Sequence, residues 1–278
     1  MHTSVLLKES VDSLHIQNGA KYIDATLGAG GHTEEILRRG GLVLGIEADP
    51  KMLEIARKRV GEACPTLFLG NFRDIASIAH EHGFEKVSGV LFDLGISSVH
   101  LDSDPRGFSF RNPNASLDMR LNTEAQGVTA ADLLNSLDKT QLTILFESKL
   151  IAQKVVESRK NKPFESVGDF LSLFGQKWGK IHPATKPFMM LRIAVNTEYE
   201  NLSSALSQAF ELLKKNGKLV VISFHSGEDR IVKSFFKKVE DSGEAKMEDF
   251  VRPADEEIIK NPRARSAKMR VLTKLNEK

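Results

Sequence analysis

The sequence contains very little cysteine: Cys64 is the one cysteine among 278 residues. A single cysteine excludes a disulfide framework and a zinc site built from cysteines, and it is typical of a reducing compartment. The sequence also lacks a secretory signal pattern, an Arg-rich transit segment and any apolar run of about 18 residues. We therefore expect a cytoplasmic protein without a membrane-spanning segment.

A large excess of charge of either sign is also missing, since 39 Lys and Arg face 37 Asp and Glu and give a formal net charge of +2. So small a charge does not by itself indicate a nucleic-acid-binding protein, and any basic surface must come from local clustering. One basic cluster lies at residues 176–192 and includes Lys177 and Lys180. A second begins at Lys260, and we interpret it as a basic C-terminal tail.

Short apolar runs alternate with amphipathic stretches in the first hundred residues. Buried strands are predicted at residues 21–24, 42–47, 66–69 and 88–93. Helices are predicted at residues 33–39, 51–62 and 73–82. Repeated strand–helix units favour a parallel sheet covered on both faces, which is an α/β fold.

A further strand is predicted at residues 218–224, after a helix that ends near residues 214–216. Gly217 follows that helix, and we expect it to take the left-handed conformation that ends it. Strand patterning is missing between residue 102 and about residue 183, where helical segments predominate. We therefore predict one α/β domain, formed by residues 1–102 and 186–278, with a helical insertion at residues 103–185.

Three glycines follow the first predicted strand, in the stretch Asp24-Ala25-Thr26-Leu27-Gly28-Ala29-Gly30-Gly31-His32-Thr33. A strand, a glycine-rich turn and a helix bring the backbone close to a nucleotide-like ligand at the carboxyl edge of a sheet. The dinucleotide fingerprint is not matched, because Thr33 occupies the place of its third glycine. A phosphate-binding loop of the Walker type is not matched either, because no Gly-Lys-Ser/Thr follows.

Polar and aromatic residues follow the next strands. Glu47 ends the second strand, where its carboxylate can accept hydrogen bonds from both ribose hydroxyls of a nucleoside. Phe72 follows the third strand and offers a face to adenine, and Asp93 ends the fourth. A glycine loop that lacks a phosphate-binding motif, followed by these residues, suits S-adenosylmethionine, in which an adenosine carries an amino acid instead of phosphates. Taken singly, Glu47 also fits an exposed strand end, and Phe72 also fits a core position.

Eight motifs follow one another from residue 2 to about residue 270. Besides the glycine loop they are His2-Thr3-Ser4-Val5-Leu6-Leu7, Asp93-Leu94-Gly95-Ile96-Ser97-Ser98, Arg106-Gly107-Phe108-Ser109-Phe110-Arg111, Leu117-Asp118-Met119-Arg120, His182-Pro183-Ala184-Thr185 with Arg192 and Asn196, Ser223-Phe224-His225-Ser226, and Asn261-Pro262-Arg263-Ala264-Arg265-Ser266. Together they resemble the RsmH (MraW) family of bacterial 16S ribosomal RNA cytosine-N4 methyltransferases.

The resemblance implies a Rossmann-like methyltransferase domain interrupted by a helical substrate-recognition domain. It implies methyl transfer from S-adenosylmethionine to the exocyclic amine of one cytidine in the decoding region of small-subunit ribosomal RNA. The cofactor positions that it implies are Gly30, Gly31, His32, Glu47, Phe72, Asp93 and His100. Glu47 and His100 depart from the family's usual Asp and Gln at these places.

Methyl transfer to a cytosine amine depends on positioning, because the acceptor lone pair must lie in line with the carbon–sulfur bond. The amine also shares its lone pair with the ring, so a hydrogen-bond acceptor beside it would favour the reaction. Asp93 is our candidate for this catalytic acceptor, with Ser97 or Ser98 as lesser candidates. His225 fits either a base or a residue that pins the turn before the following helix.

A base inside structured RNA must be unstacked before an enzyme can reach it. Phe108 and Phe110, flanked by Arg106 and Arg111, combine stacking faces with positive charge, although both rings equally fit core positions. The predicted substrate-binding residues are Phe108, Phe110, Arg120, His182, Arg192, Asn196 and His225. No spacing of His, Asp and Glu resembles a metal site, so we expect no metal requirement.

Three functions stay open on the sequence alone. The leading hypothesis is an enzyme whose partner is 16S ribosomal RNA within the assembling small ribosomal subunit. The second is a methyltransferase of the same fold acting on a different RNA or on DNA. The third, a non-catalytic RNA-binding assembly factor, is disfavoured by the intact glycine loop together with Asp93. A dehydrogenase is disfavoured by Thr33.

Overall fold

The structure, a computed structural model, describes residues 4–64, 66–175 and 182–276. Lys177 and Lys180 of the first basic cluster therefore lie outside the described residues, as do His2 and Thr3 of the first motif. The chain divides into two compact units, Met1–Ser97 with Tyr199–Lys278 and Ser98–Glu198. We describe each unit by itself.

The first unit is built on a seven-stranded sheet. Its strands are β1 (Lys21–Asp24), β2 (Leu42–Glu47), β3 (Leu67–Leu69), β4 (Val87–Asp93), β5 (Leu213–Ser223), β6 (Ala245–Met247) and β7 (Lys268–Lys274). Their order across the sheet is β3-β2-β1-β4-β5-β7-β6. Strands β1 to β5 run parallel, whereas β7 runs antiparallel to both β5 and β6. The predicted α/β fold class is confirmed.

Helices connect the strands of the first unit and form the second unit. In chain order they are α1 (Leu7–Ser13), α2 (Gly31–Arg38), α3 (Pro50–Val60), α4 (Ile75–Glu81), α5 (Ser98–Ser103), α6 (Ala130–Ser136), α7 (Lys139–Phe146), α8 (Lys149–Ser158), α9 (Val167–Leu171), α10 (Thr185–Val195), α11 (Glu198–Leu212), α12 (Ser226–Asp241) and α13 (Asp255–Lys260). Helices α2, α3 and α4 follow β1, β2 and β3, so the sequence prediction of alternating units holds in this part of the chain. Among the described residues, no helix combines the length and apolar character needed to cross a lipid bilayer.

Each face of the sheet carries its own hydrophobic core, because successive side chains of a strand point to opposite faces. On one face Ile23 and Phe92 pack with α4, α11 and α12. On the other face Tyr22 and Leu91 pack with α1 and α2. Covering both faces explains why the central strands read as nearly continuous apolar runs.

The start of β5 differs from its prediction, because α11 ends at Leu212 and residues 213–217 already belong to the strand. Asn216, rather than Gly217, takes the left-handed conformation, with φ of 62°. Asparagine tolerates this conformation better than other residues with a side chain. Gly217 is needed for a different reason: a Cβ there would lie 2.8 Å from the carbonyl oxygen of Lys214.

The predicted basic tail is also different in the structure, because its residues 268–274 form β7 inside the sheet. The charges of this strand are paired. Lys268 Nζ and Arg270 Nε each donate to the Asp229 carboxylate at 2.8 Å. Lys274 Nζ donates to the carbonyl oxygen of Leu213, also at 2.8 Å. Three of the seven residues of β7 are basic, so the sequence does not show the alternation typical of a strand. These side chains can be buried because partners far away in the chain accept their hydrogen bonds. Glu277 and Lys278 lie outside the described residues.

The second unit is helical and packs around the fully buried ring of Phe170. Ring centroids lie 5.9 Å away for Phe146, 6.4 Å for Phe164 and 6.4 Å for Phe188. Helix α10 packs on α6 and α7, so this unit continues to Glu198, beyond residue 185 where the sequence places the end of the insertion. The substrate-recognition role of the insertion stays a prediction.

Replacing Phe170 with Ala is expected to destabilise the second unit by about 3–5 kcal/mol, because the lost ring leaves a cavity among four other aromatic rings, those of Phe146, Phe164, Phe174 and Phe188. Urea unfolding followed by circular dichroism measures this change. Ile144→Ala is the matched control, since the Ile144 side chain on α7 of the same unit is 74% exposed. The control should change the unfolding free energy by no more than about 0.5 kcal/mol. Equal effects of the two substitutions would contradict the central position of Phe170.

Candidate functional site

The strand order of the sheet locates a crevice in the first unit. Chain connections from β1 lead outwards to β2 and β3, whereas β4 lies on the other side of β1 and leads to β5. Ligands of open α/β sheets bind beyond the carboxyl ends of the strands at such a switch point. Asp24 ends β1 and Asp93 ends β4, so two carboxylates lie at this crevice.

The glycine loop leads from β1 into α2 and is fastened by Glu47. Gly28 and Gly30 have φ of 53° and 80°, which glycine adopts without strain. Glu47 Oε2 accepts a hydrogen bond from the Gly28 N–H at 2.8 Å, and its Oε1 accepts one from the Asp49 N–H at 2.9 Å. The Glu47 carboxylate is half-buried and thus shapes the loop besides its predicted contact to a ribose, which stays a prediction.

Gly30 and Gly31 allow close packing around the start of α2. A Cβ at Gly31 would collide with the Ser4 hydroxyl, and one at Gly30 would lie 3.3 Å from Val60 Cγ1 on α3. His32 is in the first turn of α2 and is buried. Because α2 begins here, the positive end of its dipole lies at the carboxyl edge of the sheet.

Asp24 is a fully buried carboxylate that ties the loop together. Its Oδ2 accepts a hydrogen bond from Thr33 Oγ1 at 2.7 Å, and its Oδ1 accepts one from the Thr26 N–H at 3.3 Å. Burial raises the pKa of Asp24 to about 6, although these hydrogen bonds act in the opposite direction. Neither Asp24 nor Thr33 is among the site residues predicted from the sequence. The available signal was a carboxylate that ends an apolar strand and is followed by two threonines.

Asp93 carries the most perturbed carboxylate of the crevice. Its backbone N–H donates to Thr26 Oγ1 at 2.5 Å, and its Oδ2 lies 3.8 Å from His32 Nδ1. The Oδ1 atom is buried and has no hydrogen-bond partner within the part of the chain that the structure describes. Burial, followed by the negative charges of Asp24, Glu228 and Glu257, raises the pKa of Asp93 well above its ordinary value.

Such a carboxylate oxygen is costly to leave without a donor, and buried polar atoms of this kind are commonly found at ligand and catalytic sites. The Asp93 side chain retains 20% of its exposure. The carboxylate is therefore able to meet a ligand that carries positive charge or an N–H group.

Phe72 lies in a short 3₁₀ turn (Phe72–Asp74) after β3. Its ring is half-buried and packs edge-on against Phe92, with ring centroids 5.6 Å apart. The ring thus contributes to the core on the α4 side of the sheet. Its contact to an adenine stays a prediction.

His225 is the N-cap residue of α12, directly after β5. Its Nδ1 accepts from the Glu228 N–H at 3.4 Å, and Glu228 Oε2 accepts from the Phe224 N–H at 2.8 Å. The His225 Nε2 atom lies 3.1 Å from Glu228 Oε1. This geometry is that of a residue pinning the strand-to-helix turn, one of the two interpretations of the sequence. A substrate contact by His225 stays a prediction.

Other predicted site residues belong to the second unit, where His100 and Phe108 form one contact. His100 is on α5, and its ring centroid lies 5.0 Å from that of Phe108. The guanidinium of Arg106 lies 5.2 Å from the Phe108 ring. Phe108 is buried and thus occupies a core position, one of the two interpretations of the sequence. Phe110 is half-buried, 5.5 Å from His182 and 5.6 Å from Phe188, and it presents the more accessible ring.

The remaining predicted substrate contacts are polar side chains with partners inside the second unit. Arg120 donates to both oxygens of Asp118, at 2.6 and 2.8 Å, and Arg192 donates to both oxygens of Glu198, at 2.8 and 2.9 Å. Asn196 is buried; its Oδ1 accepts from the Leu121 N–H at 3.0 Å, and its Nδ2 donates to the Met119 carbonyl at 2.8 Å. These contacts stabilise the unit, and roles in substrate binding stay predictions.

The chain is similar to known proteins over nearly its whole length. The model of the MraW methylase family matches residues 1–275. The ribosomal RNA small subunit methyltransferase H of a Dehalococcoides mccartyi strain is 42% identical, over 99% of this chain and 87% of the relative. Its counterpart from Dictyoglomus thermophilum is also 42% identical, over 98% of this chain and 96% of the relative.

Among solved structures, a candidate rRNA methylase of Clostridium thermocellum superimposes with a TM-score of 0.50 and covers 100% of both chains. At 15% identity this likeness concerns the fold alone. The match of the family model over nearly the whole chain, and relatives 42% identical over nearly the same length, confirm the resemblance seen in the eight motifs. The chain belongs to the MraW methylase family.

Proposed function

We propose that this chain transfers a methyl group from S-adenosylmethionine to the exocyclic N4 amine of one cytidine in the decoding region of 16S ribosomal RNA. The observation that carries the proposal is the crevice at the ends of β1 and β4, with the Asp93 carboxylate beside the glycine loop. The names of the relatives support small-subunit ribosomal RNA as the substrate class. We place the reaction in the cytoplasm, on the assembling small subunit.

The residues of the crevice fit S-adenosylmethionine by their chemistry. The glycine loop would lie along the amino-acid end, the Glu47 carboxylate would accept from the ribose hydroxyls, and Phe72 would contact the adenine. Asp24 and Asp93 add negative charge, which favours a cationic ligand. When bound, S-adenosylmethionine supplies an electrophilic methyl group on a positively charged sulfur.

Asp93 is the residue that prepares the acceptor amine. Its carboxylate, on a side chain that is 20% exposed, accepts an N–H of the cytosine amine and so favours the pyramidal nitrogen whose lone pair is no longer shared with the ring. As positive charge develops on that nitrogen, the carboxylate stabilises it. Its raised pKa makes Asp93 a better acceptor for the proton that the methylated amine must lose.

Two neighbours hold Asp93 in position. Thr26 Oγ1 accepts its backbone N–H, which fixes the end of β4 against the glycine loop. His32 lies on the Oδ2 side of the carboxylate, with its Nδ1 3.8 Å from that oxygen. The loop that lies along the cofactor therefore also orients the catalytic carboxylate.

The test of the activity uses methyl-labelled S-adenosylmethionine and small ribosomal subunits purified without their modifications. We expect label on N4 of one cytidine of 16S RNA, located by nuclease digestion and mass spectrometry. Label on another RNA or on DNA, with none on the small subunit, would show that 16S RNA is not the substrate. Cofactor binding without any transfer would instead indicate an assembly factor.

Asp93→Asn is expected to lower kcat for methyl transfer at least about 100-fold, because the neutral amide neither stabilises the charged amine nor takes its proton. Asp241→Asn is the control, since Asp241 is an exposed carboxylate at the end of α12. Cofactor affinity, measured by calorimetry for each variant, separates catalysis from binding. Near-normal turnover of Asp93→Asn with bound cofactor would exclude the catalytic role.

Asp24→Asn is expected to shift the acid limb of the kcat profile to lower pH. The charge of Asp24 is, after burial, the first cause of the raised pKa of Asp93, and the substitution removes it. The measurement is the pH dependence of methyl transfer in wild type and variant. An unchanged acid limb would show that the titrating group is not Asp93.

The same substitution changes how stability depends on pH. The pKa of Asp24 is about 6 in the folded chain and near 3.8 when unfolded, so the folded state binds the proton more tightly. Wild type should therefore lose up to about 3 kcal/mol relative to Asp24→Asn as pH rises from about 4 to 6. Urea unfolding of both proteins across this range measures the difference, and parallel curves would be the contrary result.

A further inference from the structure

An exposed aromatic ring lies between two arginines in the segment after β6. Phe250 is 47% exposed. The guanidinium of Arg252 lies 5.7 Å from the centre of its ring and that of Arg270 lies 5.4 Å away. None of these three residues was singled out by the sequence analysis as a site residue.

A single row of paired residues across the sheet connects this ring to Asp93. Asp93 pairs with Ile222, Ile222 pairs with Met269, and Met269 pairs with Val251. Val251 is the residue between Phe250 and Arg252. With about 4.8 Å between neighbouring strands, the row places Val251 about 14 Å from the backbone of Asp93.

The alternation of side chains decides which way the ring points. Val251 and Met269 pack into the core on the α1 side of the sheet. Asp93 is in the same row, so its side chain is on the α1 side as well. The neighbours Phe250, Arg252 and Arg270 lie on the opposite face, which α12 covers. On that face Asp229 of α12 bonds Arg270 and holds its guanidinium beside the Phe250 ring.

The charged groups in contact with the ring are the guanidiniums of Arg252 and Arg270. Arg252 is exposed, whereas Arg270 is held by Asp229. The residues that flank this segment are exposed acids, namely Glu248, Asp249, Asp255 and Glu256. The positive charge is therefore confined to the immediate surroundings of the ring. An accessible aromatic face with guanidinium groups beside it is the arrangement on which single-stranded nucleic acids stack their bases.

An added β-strand of a partner protein fits this place less well. Val251 pairs with Met269 in a single bridge, and Pro253, two residues further along, has no backbone N–H to donate to an added strand. What the segment presents to solvent is side-chain chemistry, namely the exposed part of the Phe250 ring and the guanidinium of Arg252.

We propose that Phe250, Arg252 and Arg270 form a stacking platform for an unpaired base of the RNA substrate, on the face of the sheet opposite to the Asp93 carboxylate. The ring stacks the base, Arg252 contacts the adjoining phosphate, and Arg270 keeps the ring in place. This inference rests on the proposed function, since it concerns the same RNA substrate at a second place.

The test measures binding of a fluorescent single-stranded RNA with the decoding-region sequence, by anisotropy, to the full chain with S-adenosylmethionine present. Phe250→Ala should weaken binding about five- to 100-fold, as expected for the loss of one base–aromatic stack. Phe250→Trp should bind within about threefold of wild type, because it keeps an aromatic face. Phe250→Leu keeps the apolar cover without the face and should resemble Phe250→Ala.

Ile55→Ala is the matched control, because Ile55 is a 37% exposed apolar residue on α3, which packs on β2 and β3 at the other side of the sheet. Its RNA affinity should equal that of wild type. Arg252→Gln should reduce the slope of log Kd against log salt concentration by about 0.7, the value for one phosphate contact on a single strand. Unfolding midpoints and cofactor affinity, measured for every variant, should not change.

RNA affinities of Phe250→Ala and Phe250→Leu equal to that of Ile55→Ala would overturn the platform. A variant that binds the RNA normally but methylates intact small subunits poorly would also overturn it, and would assign the ring to a ribosomal protein. If RNA binding depends on Phe250 but the wild type places no methyl group on 16S RNA, the proposed function fails and the platform stands.

Discussion

The buried carboxylate of Asp24 is the interaction on which the crevice depends. It joins the end of β1 to the first turn of α2 through Thr33 and to the glycine loop through the Thr26 N–H. The Thr26 hydroxyl in turn accepts the backbone N–H of Asp93, which ends β4. Removing Asp24 from water raises its pKa to about 6, so this junction is obtained at an electrostatic cost that the hydrogen bonds offset only in part.

The charge of Asp24 also affects Asp93, at the end of the neighbouring strand β4. Asp24, Glu228 and Glu257 add negative charge around Asp93, and burial strengthens their effect on its pKa. A carboxylate in this setting favours a cation or a proton over water. The same crowding of carboxylates, which by itself is destabilising, thus suits a positively charged methyl donor and an amine that must lose a proton.

At β7, ion pairs allow charged residues to be part of the sheet. Asp229 receives Lys268 and Arg270, which allows a strand with three basic residues to lie next to β5. With Arg270 held in this way, Phe250 and Arg252 are presented on the outermost paired segment. One ion-paired cluster therefore completes the sheet and orders the proposed stacking platform.

Local patterns along the sequence determined the strands β1, β2 and β4, the glycine loop, the late return of the sheet and the family. These features depend on apolar runs and on motifs of a few adjacent residues, which can be read without knowing what lies nearby in space. Only the tertiary structure decided that Asp24 is buried, that the basic tail forms β7, and that Arg120 and Arg192 have carboxylate partners. Whether a charged side chain is paired or open depends on groups that can be far away in the chain, such as Asp229 and Arg270, 41 positions apart. The cost of burying a charge is met only when folding brings those groups together.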